Sequence, residues 1–503
     1  MRDNYHQWDK MQILAKSLSP NWRVGASWLY LSATGDQKRN QEIMHQRLDP
    51  SQVIALDKPN LHYQERLDAV AENQMMSPGP STYGTDPKCL HLQDDRLFAS
   101  CLAHRCDFHI DPYGFMTFCA FIKDPALRYD LRHGDFEQCW EDFIPSLSDI
   151  IRGGKEYFEN CGTCELRDDC RWCPVYGYLE HGRFSAPVEY LCNIARAKKE
   201  FEKDWLKNHR RYYQCAGITI QVDSDLPIRD ATFNHKFNLF QVEGPGDDMV
   251  YVSHHFGLPD LTGKDLGKEV YRRPPWAIYQ KGCSWIYTGI STIPSVQDFH
   301  RVAISSNDHT KVRIYNDKVR EDSFLRGDLH SLTLFSTDQI LLSHVLADRE
   351  GCFLHSSGII MDGSGLLFVG HSDAGKSTIV TMFKEHAEIL CDDRNIVRRF
   401  PEGYQVSGTW HHGDVPDVSP SSAPLRAIMF LEQAPYNSLI PLSDRREIIK
   451  RLLACLIKPF ETVDWWGKSL TLLENMACEV PCYVLNFSRS GGVVDVIKNE
   501  LLN

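Results

Sequence analysis

SGLLFVGHSDAGKSTIVTMFKEHAEILCDDRN, residues 364–395, decides how the C-terminal half of the chain is read. Leu366, Leu367, Phe368 and Val369 form an apolar run that predicts a buried strand. GHSDAGKS follows at once, and an apolar-periodic segment to about Ala387 predicts a helix. Strand, glycine-bearing loop and helix in that order predict a phosphate-binding loop. Gly370 and Gly375 free the backbone to wrap phosphates with N–H groups, and Lys376 reaches the terminal phosphates. Ser377, with Thr378 behind it, stands at the helix N-terminus, where a hydroxyl can hold magnesium. A second apolar run, Ile389 to Cys391, delivers Asp392 and Asp393 to the end of a strand that can lie beside the loop. Such a pair suits one magnesium ligand and one general base.

Working outward, the 503 residues exceed one ordinary core, so two or three domains are expected. Hydrophobic content of 42% and charged content of 24% describe a soluble globular protein. No apolar run approaches the roughly 20 residues of a membrane helix, and MRDNYHQWDK lacks a signal-peptide core, so the expectation is a cytoplasmic protein without a membrane. A formal charge of −12, from 55 basic against 67 acidic residues, argues against nucleic acid as the main ligand. Peptide and small-molecule partners remain.

Of the 17 cysteines, ten lie between Cys89 and Cys192, a clustering that points to metal in a chain without secretion signals. CLAHRCDFHIDPYGFMTFC, residues 101–119, contains a DPYG turn between two short extended runs and predicts a hairpin that brings Cys101 and Cys119 together. Downstream, Cys161, Cys164, Cys170 and Cys173 follow the spacing C-x2-C-x5-C-x2-C, with Cys192 after a short helix. Zinc and iron-sulfur both satisfy these spacings, and spacing does not choose between them.

Before this block, residues 1–85 carry a helical pattern (Trp8, Met11, Ile13, Leu14), a strand-like piece from Ala26 to Leu31 and a helix over Pro50 to Asp57. These look like βα units without their beginning. After it, residues 193–212 form a charged, helix-favouring link holding the main domain boundary. Extended runs broken by Gly, Pro, Asn and Asp then predict a β-rich subdomain to about 330, with Trp276, Tyr279, Trp285 and Tyr287 as strand core. In the last part, RREIIKRLLACLIKPF predicts a packing helix. Cys455, Cys478 and Cys482 are expected in the core, and EVPCYVLNF and VVDVIKNELL are expected to close the domain as strand and helix.

Two resemblances add to this. Residues 101–192 resemble the SPASM domain of radical SAM maturases, in which a C-x9-15-G-x4-C element precedes a C-x2-C-x5-C cluster and a last cysteine. The resemblance implies one or two auxiliary 4Fe-4S clusters: Cys101, Cys119 and Cys173 for the first, with Cys106 as a fourth ligand, and Cys161, Cys164, Cys170 and Cys192 for the second. HQRLDPSQVIALD is similar to the segment after the last barrel strands of a radical SAM core. The core's C-x3-C-x2-C is not in the sequence, which implies the C-terminal part of a longer enzyme or a remnant kept for substrate recognition.

The second resemblance covers about 213–503. LHSSGIIM, GHSDAGKST, LCDDRN, SGTWHHGD and LRAIMFLEQ resemble the HPr kinase family in order and spacing. That implies binding of ATP and Mg2+ by Gly370, Gly375, Lys376 and Ser377. It also implies a base and a metal partner in Asp393 and Asp392, their order left open, with His355 near the phosphates and His412 and Asp414 completing the magnesium or acceptor site. Asp373 stands where many members have glycine. The expected architecture is multidomain α/β: a partial βα barrel remnant over 1–85, a SPASM domain over 86–200, a β-rich subdomain over 213–330 and an HPr kinase-like P-loop domain over 331–503. The expected activity is phosphorylation of a hydroxyl, a serine by preference, on a peptide or protein such as a ribosomally made precursor peptide, by a homo-oligomer. Two alternatives are a nucleotide-dependent peptide-binding protein without transfer, and one part of a radical SAM/SPASM maturation enzyme.

Overall fold

The computed structural model describes residues 1–19, 25–26, 29–57, 95–103, 105, 108–290, 300–460, 462–489 and 491–502. The chain divides into two compact units, one reaching Leu206 and the other running from Lys207 to Asn503.

In the first unit, helices α1 (Trp8–Leu18), α2 (Gln37–Gln46) and α3 (Pro50–Asp57) precede the short α4 (Ala99–Ala103). Asp36 starts α2 by accepting the N–H of Arg39. At the described residues of 26–31 the expected strand is not seen: they are turn and irregular backbone, and no strand occurs among the described residues of 1–57. A barrel remnant is therefore absent from that segment's described part. Its anchoring is by side chains instead. Leu48 and Val53 pack with Tyr176, Val188 and Leu191, and Arg47 pairs with Glu180 at 2.5 Å, both nearly buried.

The expected hairpin forms as β1 (His109–Ile110) and β2 (Phe115–Thr117), joined in a three-stranded sheet by β3 (Tyr129–Asp130). Asp111 fixes the DPYG turn by accepting from the N–H groups of Tyr113 and Phe115. Around it, α5 (Ile144–Ile150) and α6 (Pro174–His181) close a core of Phe98, Leu102, Met116, Ile144, Leu147 and Val175. Helix α7 (Glu189–His209) carries the chain across the division between the units.

The second unit opens with nine strands: β4 (Arg210–Cys215), β5 (Ile218–Ser224), β6 (Gln241–Val242), β7 (Met249–Phe256), β8 (Lys268–Arg273), β9 (Trp276–Lys281), β10 (Ser284–Gly289), β11 (Arg301–Ser306) and β12 (Lys311–Asn316). They form one sheet in the order β6-β4-β5-β7-β12-β11-β10-β9-β8. One face packs on α8 (Lys318–Arg326) and α9 (Gln339–Ala347) through Phe324, Leu341 and Val345. Tyr279 and Tyr287 are buried as expected, while Trp276 and Trp285 are only partly covered.

The rest holds β13 (Gly351–Met361), β14 (Ser364–Val369), α10 (Lys376–Phe383), β15 (Glu388–Cys391), β16 (Arg394–Phe400), β17 (Gly403–Ser407), β18 (Ser422–Gln433), β19 (Ser438–Pro441), α11 (Arg445–Cys455), α12 (Val463–Glu479), β20 (Cys482–Phe487) and α13 (Val493–Ile497). Strands β13 and β18 are 11 and 12 residues long. That length lets each serve three partners along its course: β13 pairs β16 near its start and β14 and β15 near its end. In the same way β18 pairs β17 first, then β14 and β20 in parallel. Apolar cores form on the two sides of these strands, one under α11 and α12 and the other under α10 and α13. Cys455 and Cys482 are buried, whereas Cys478 is exposed, which corrects its expected place in the core.

Candidate functional site: a glycine-bearing loop beside two carboxylates

The loop from Gly370 to Gly375 joins β14 to α10, so the strand, loop and helix stand in the expected order. The helix ends at Phe383, one turn earlier than its expected limit near Ala387. Its buried stripe of Ile379, Val380 and Phe383 is complete there, and the N–H groups of His386 and Ala387 close back on the Phe383 carbonyl.

Two glycines are required by geometry. A Cβ on Gly370 would lie 2.6 Å from that of Ala374, and one on Gly375 would lie 2.5 Å from Phe487 Cζ, at a φ of 98°. Asp373 adopts φ 68° without being glycine, a conformation that Asp tolerates better than most residues. Its carbonyl accepts from Gln433 Nε2 at 2.9 Å, which ties the loop to the end of β18.

Lys376 is 7% exposed. Its Nζ donates to the carbonyls of Gly370 (2.9 Å) and His371 (3.0 Å), so the ammonium is held over the loop by the loop itself. Burial pushes its pKa down, opposed by Cys455, Asp393, Asp392 and Asp373.

The two acids differ. Asp392 is 2% exposed. Its Oδ2 accepts from Ser377 Oγ (2.9 Å) and the Val415 N–H (2.8 Å), and its Oδ1 accepts from the Gly413 N–H (2.6 Å). Asp393 instead points its carboxylate at a histidine and an arginine: Oδ1 is 3.4 Å from His355 Nε2, and Oδ2 is 2.9 Å from Arg394 Nε. Burial holds the His355 pKa below the ordinary imidazole value, and Lys376, Arg394 and His371 push in the same direction while Asp393 opposes them. His355 is therefore a neutral imidazole near pH 7.

These groups are brought together by strand pairing. His355 lies opposite Arg394 in the β13–β16 ladder. Buried Asn395 donates from Nδ2 to the Ser356 carbonyl at 2.8 Å, pinning the strand that follows the acids. A Cβ on Gly358 would lie 2.4 Å from Asn395 Oδ1, so this glycine makes room for the pin.

The 411–415 turn contributes through its backbone. His412 and Asp414 are exposed, and His412 Nδ1 faces the Gly413 carbonyl at 3.0 Å. The neighbouring N–H groups of Gly413 and Val415 are the ones that reach Asp392. Thr378, on the first turn of α10, lines a cavity rather than meeting the acids. Sequence alone does not single out Arg394 and Gln433, although Arg394 stands directly after the acid pair in DDRN.

In the cysteine-rich unit, the thiols fall into two neighbourhoods. Burial pushes Cys173 up to about 11, helped by the nearby Cys101 and Cys119. Burial likewise pushes Cys161 up to about 12, helped by Cys192, Cys170 and Cys164. Cys106 lies outside the described residues. Among the described residues no group of three or more His, Cys, Asp and Glu side chains is arranged to hold a metal ion. The thiols are thus neighbours without converging at ligand distance, and no step of the chemistry assigned to this protein runs through a cluster.

Comparison with known proteins adds one match. The family model described as ScmC, SynChlorMet cassette protein ScmC, matches residues 326–503. That span is a little over a third of the chain and contains the loop, both acids and His355. No HPr kinase family is matched, and no curated protein matches the chain. Among the described residues no helix is long and apolar enough to cross a membrane.

Proposed function

We propose that the second unit is an ATP-dependent kinase of HPr-kinase type that phosphorylates a hydroxyl on a peptide or protein, with the cysteine-rich unit serving substrate recognition. One observation carries this reading: a phosphate loop with a buried lysine stands beside two adjacent carboxylates held in different ways. Phosphoryl transfer needs positioning and charge neutralisation more than covalent chemistry. Loop N–H groups bind the phosphates, and Lys376 exchanges its bonds to the Gly370 and His371 carbonyls for phosphate oxygens. Ser377 is oriented by Asp392 and would hold magnesium, which neutralises phosphate charge when bound. Asp393 is assigned as the base, because Asp392 is already committed to three donors. It takes the proton of the acceptor hydroxyl as that oxygen bonds to the terminal phosphorus, and the bond to the bridging oxygen breaks to release ADP. His355, neutral and beside Asp393, keeps the carboxylate in place.

The test uses the full chain with magnesium-ATP and candidate peptides. Transfer by the wild type and its loss in Asp393→Asn support the assignment; unchanged transfer in that variant removes it.

A second reading is favoured by Lys376 being engaged by its own loop and by the cassette description of the matched family. In it the chain is a nucleotide-dependent peptide-binding member of a cassette, joined to a radical SAM/SPASM-type maturation. It predicts ATP binding without turnover.

A further inference from the structure

A cavity of about 310 Å³ opens on the side of the loop away from the acids, lined by Gly375, Thr378, Gln433, Ala434, Pro435, Phe487 and Arg489. Its walls are the C-terminal ends of β18 and β20 and the first turn of α10. In the sheet, β14 lies between β13, which pairs with β15 and so with the acids' side, and β18, which pairs with β20. The loop after β14 therefore has chemistry on one flank and a cavity on the other.

Three features say what the cavity suits. It is built in advance: the Ala434 N–H donates to the Phe487 carbonyl at 3.0 Å, and Asn437 bridges both neighbouring turns. That bridge accepts from the Ser488 N–H at 2.8 Å and donates to the Gly491 carbonyl at 2.7 Å. Second, the donors at its β18 edge are already spent. Ala434 N–H and Gln433 Nε2 have partners, the latter on Asp373, and Pro435 has none to give. Arg489 is the charged side chain of the lining, and its planar guanidinium can stack on a base or meet the phosphate nearest the sugar, while the backbone N–H groups that cradle phosphates lie in the adjoining loop. Third, the volume lies at the lower end of small-molecule sites, and Gly375 and Thr378 belong to loop and cavity alike, so a ligand can run continuously from one to the other. The carboxyl ends of parallel strands are also where open α/β sheets bind ligands.

We propose that this cavity seats the nucleoside end of the nucleotide. The triphosphate then crosses the loop with its terminal phosphate toward Asp393. This rests on the nucleotide-binding reading above and adds a direction to it.

The test compares affinities of the full chain for magnesium-ATP and magnesium-tripolyphosphate, which carries the phosphates without base or sugar. The wild type is expected to bind ATP at least tenfold more tightly. Ala434→Trp and Pro435→Trp, at partly and fully exposed positions, are each expected to shrink that ratio toward one by weakening ATP, with tripolyphosphate changed less than twofold. A wild type that binds both probes equally overturns the cavity assignment alone, as does a ratio that survives both substitutions. A wild type that binds neither overturns the nucleotide reading and the assignment with it.

Discussion

Asp392 and Asp393 are chain neighbours in unlike surroundings, and the difference sets opposite expectations for their variants. Replacing Asp392 with Ala strands the buried N–H groups of Gly413 and Val415 and the Ser377 hydroxyl. Each unsatisfied buried donor costs about 1–3 kcal/mol, so the second unit should lose about 2 kcal/mol or more in a urea titration. Asp393→Asn keeps the residue's shape and loses its basicity together with a partly exposed ion pair to Arg394, worth about 1 kcal/mol or less. It should leave the urea midpoint nearly unchanged while transfer falls by about 10²–10⁴. Equal stability loss in the two variants would contradict the division of roles. Sequence could place both acids at a strand end. It could not separate them, because the donors that commit Asp392 come from residues 21 and 23 positions further on.

At the scale of elements, the loop stands or falls on backbone shape. Gly375→Ala sets a Cβ against Phe487 at a positive φ, a strain of about 1–3 kcal/mol. The variant should lose retention on immobilised ATP while Asp373→Gly, which only relaxes the backbone, retains it. The strand, loop and helix were legible because each has a distinct pattern within a dozen residues: four apolar residues, two glycines, then a helical stripe. The segment over 26–31 was not legible for the converse reason. Its short apolar run suits a strand, but Tyr30 is spent on stacking against Phe121 and Tyr176 at 4.4 and 4.0 Å, so tertiary packing overrides local preference there. The nucleotide cavity was hidden likewise, since its walls come from three separate stretches of chain.

For the whole molecule, buried histidines make the second unit acid-sensitive. Burial lowers His254 to about 4, His344 to about 4, and both His309 and His411 to about 3. Each is neutral when folded and takes up a proton once unfolded below about 6.5. Their stabilising contribution is therefore complete above pH 6.5 and is lost as pH falls through the folded values near 4 and 3. Urea midpoints should hold level from pH 7 to 8 and decline steadily from pH 6.5 to 4; a flat profile would contradict this burial. In the first unit, the auxiliary clusters that the SPASM resemblance implies stand as a proposal that metal content tests directly. On that proposal the thiols close in around iron and sulfide when the clusters are loaded, and anaerobic preparations hold both, with Cys161→Ser and Cys192→Ser each lowering the same share. Stoichiometric zinc without iron would contradict the cluster reading.

Phosphoryl transfer by way of Asp393 is the proposed activity, and it separates a kinase from a nucleotide-dependent binding protein. The most direct measurement is transfer of the terminal phosphate of ATP to a serine-bearing peptide by the full chain and by Asp393→Asn, alongside the ATP affinity of each. The wild type should yield phosphoserine, and the variant, still binding ATP within a few-fold, should transfer about a hundredfold less or lower. Equal transfer by both, or ATP bound by the wild type with no transfer to any serine peptide, would contradict the proposal.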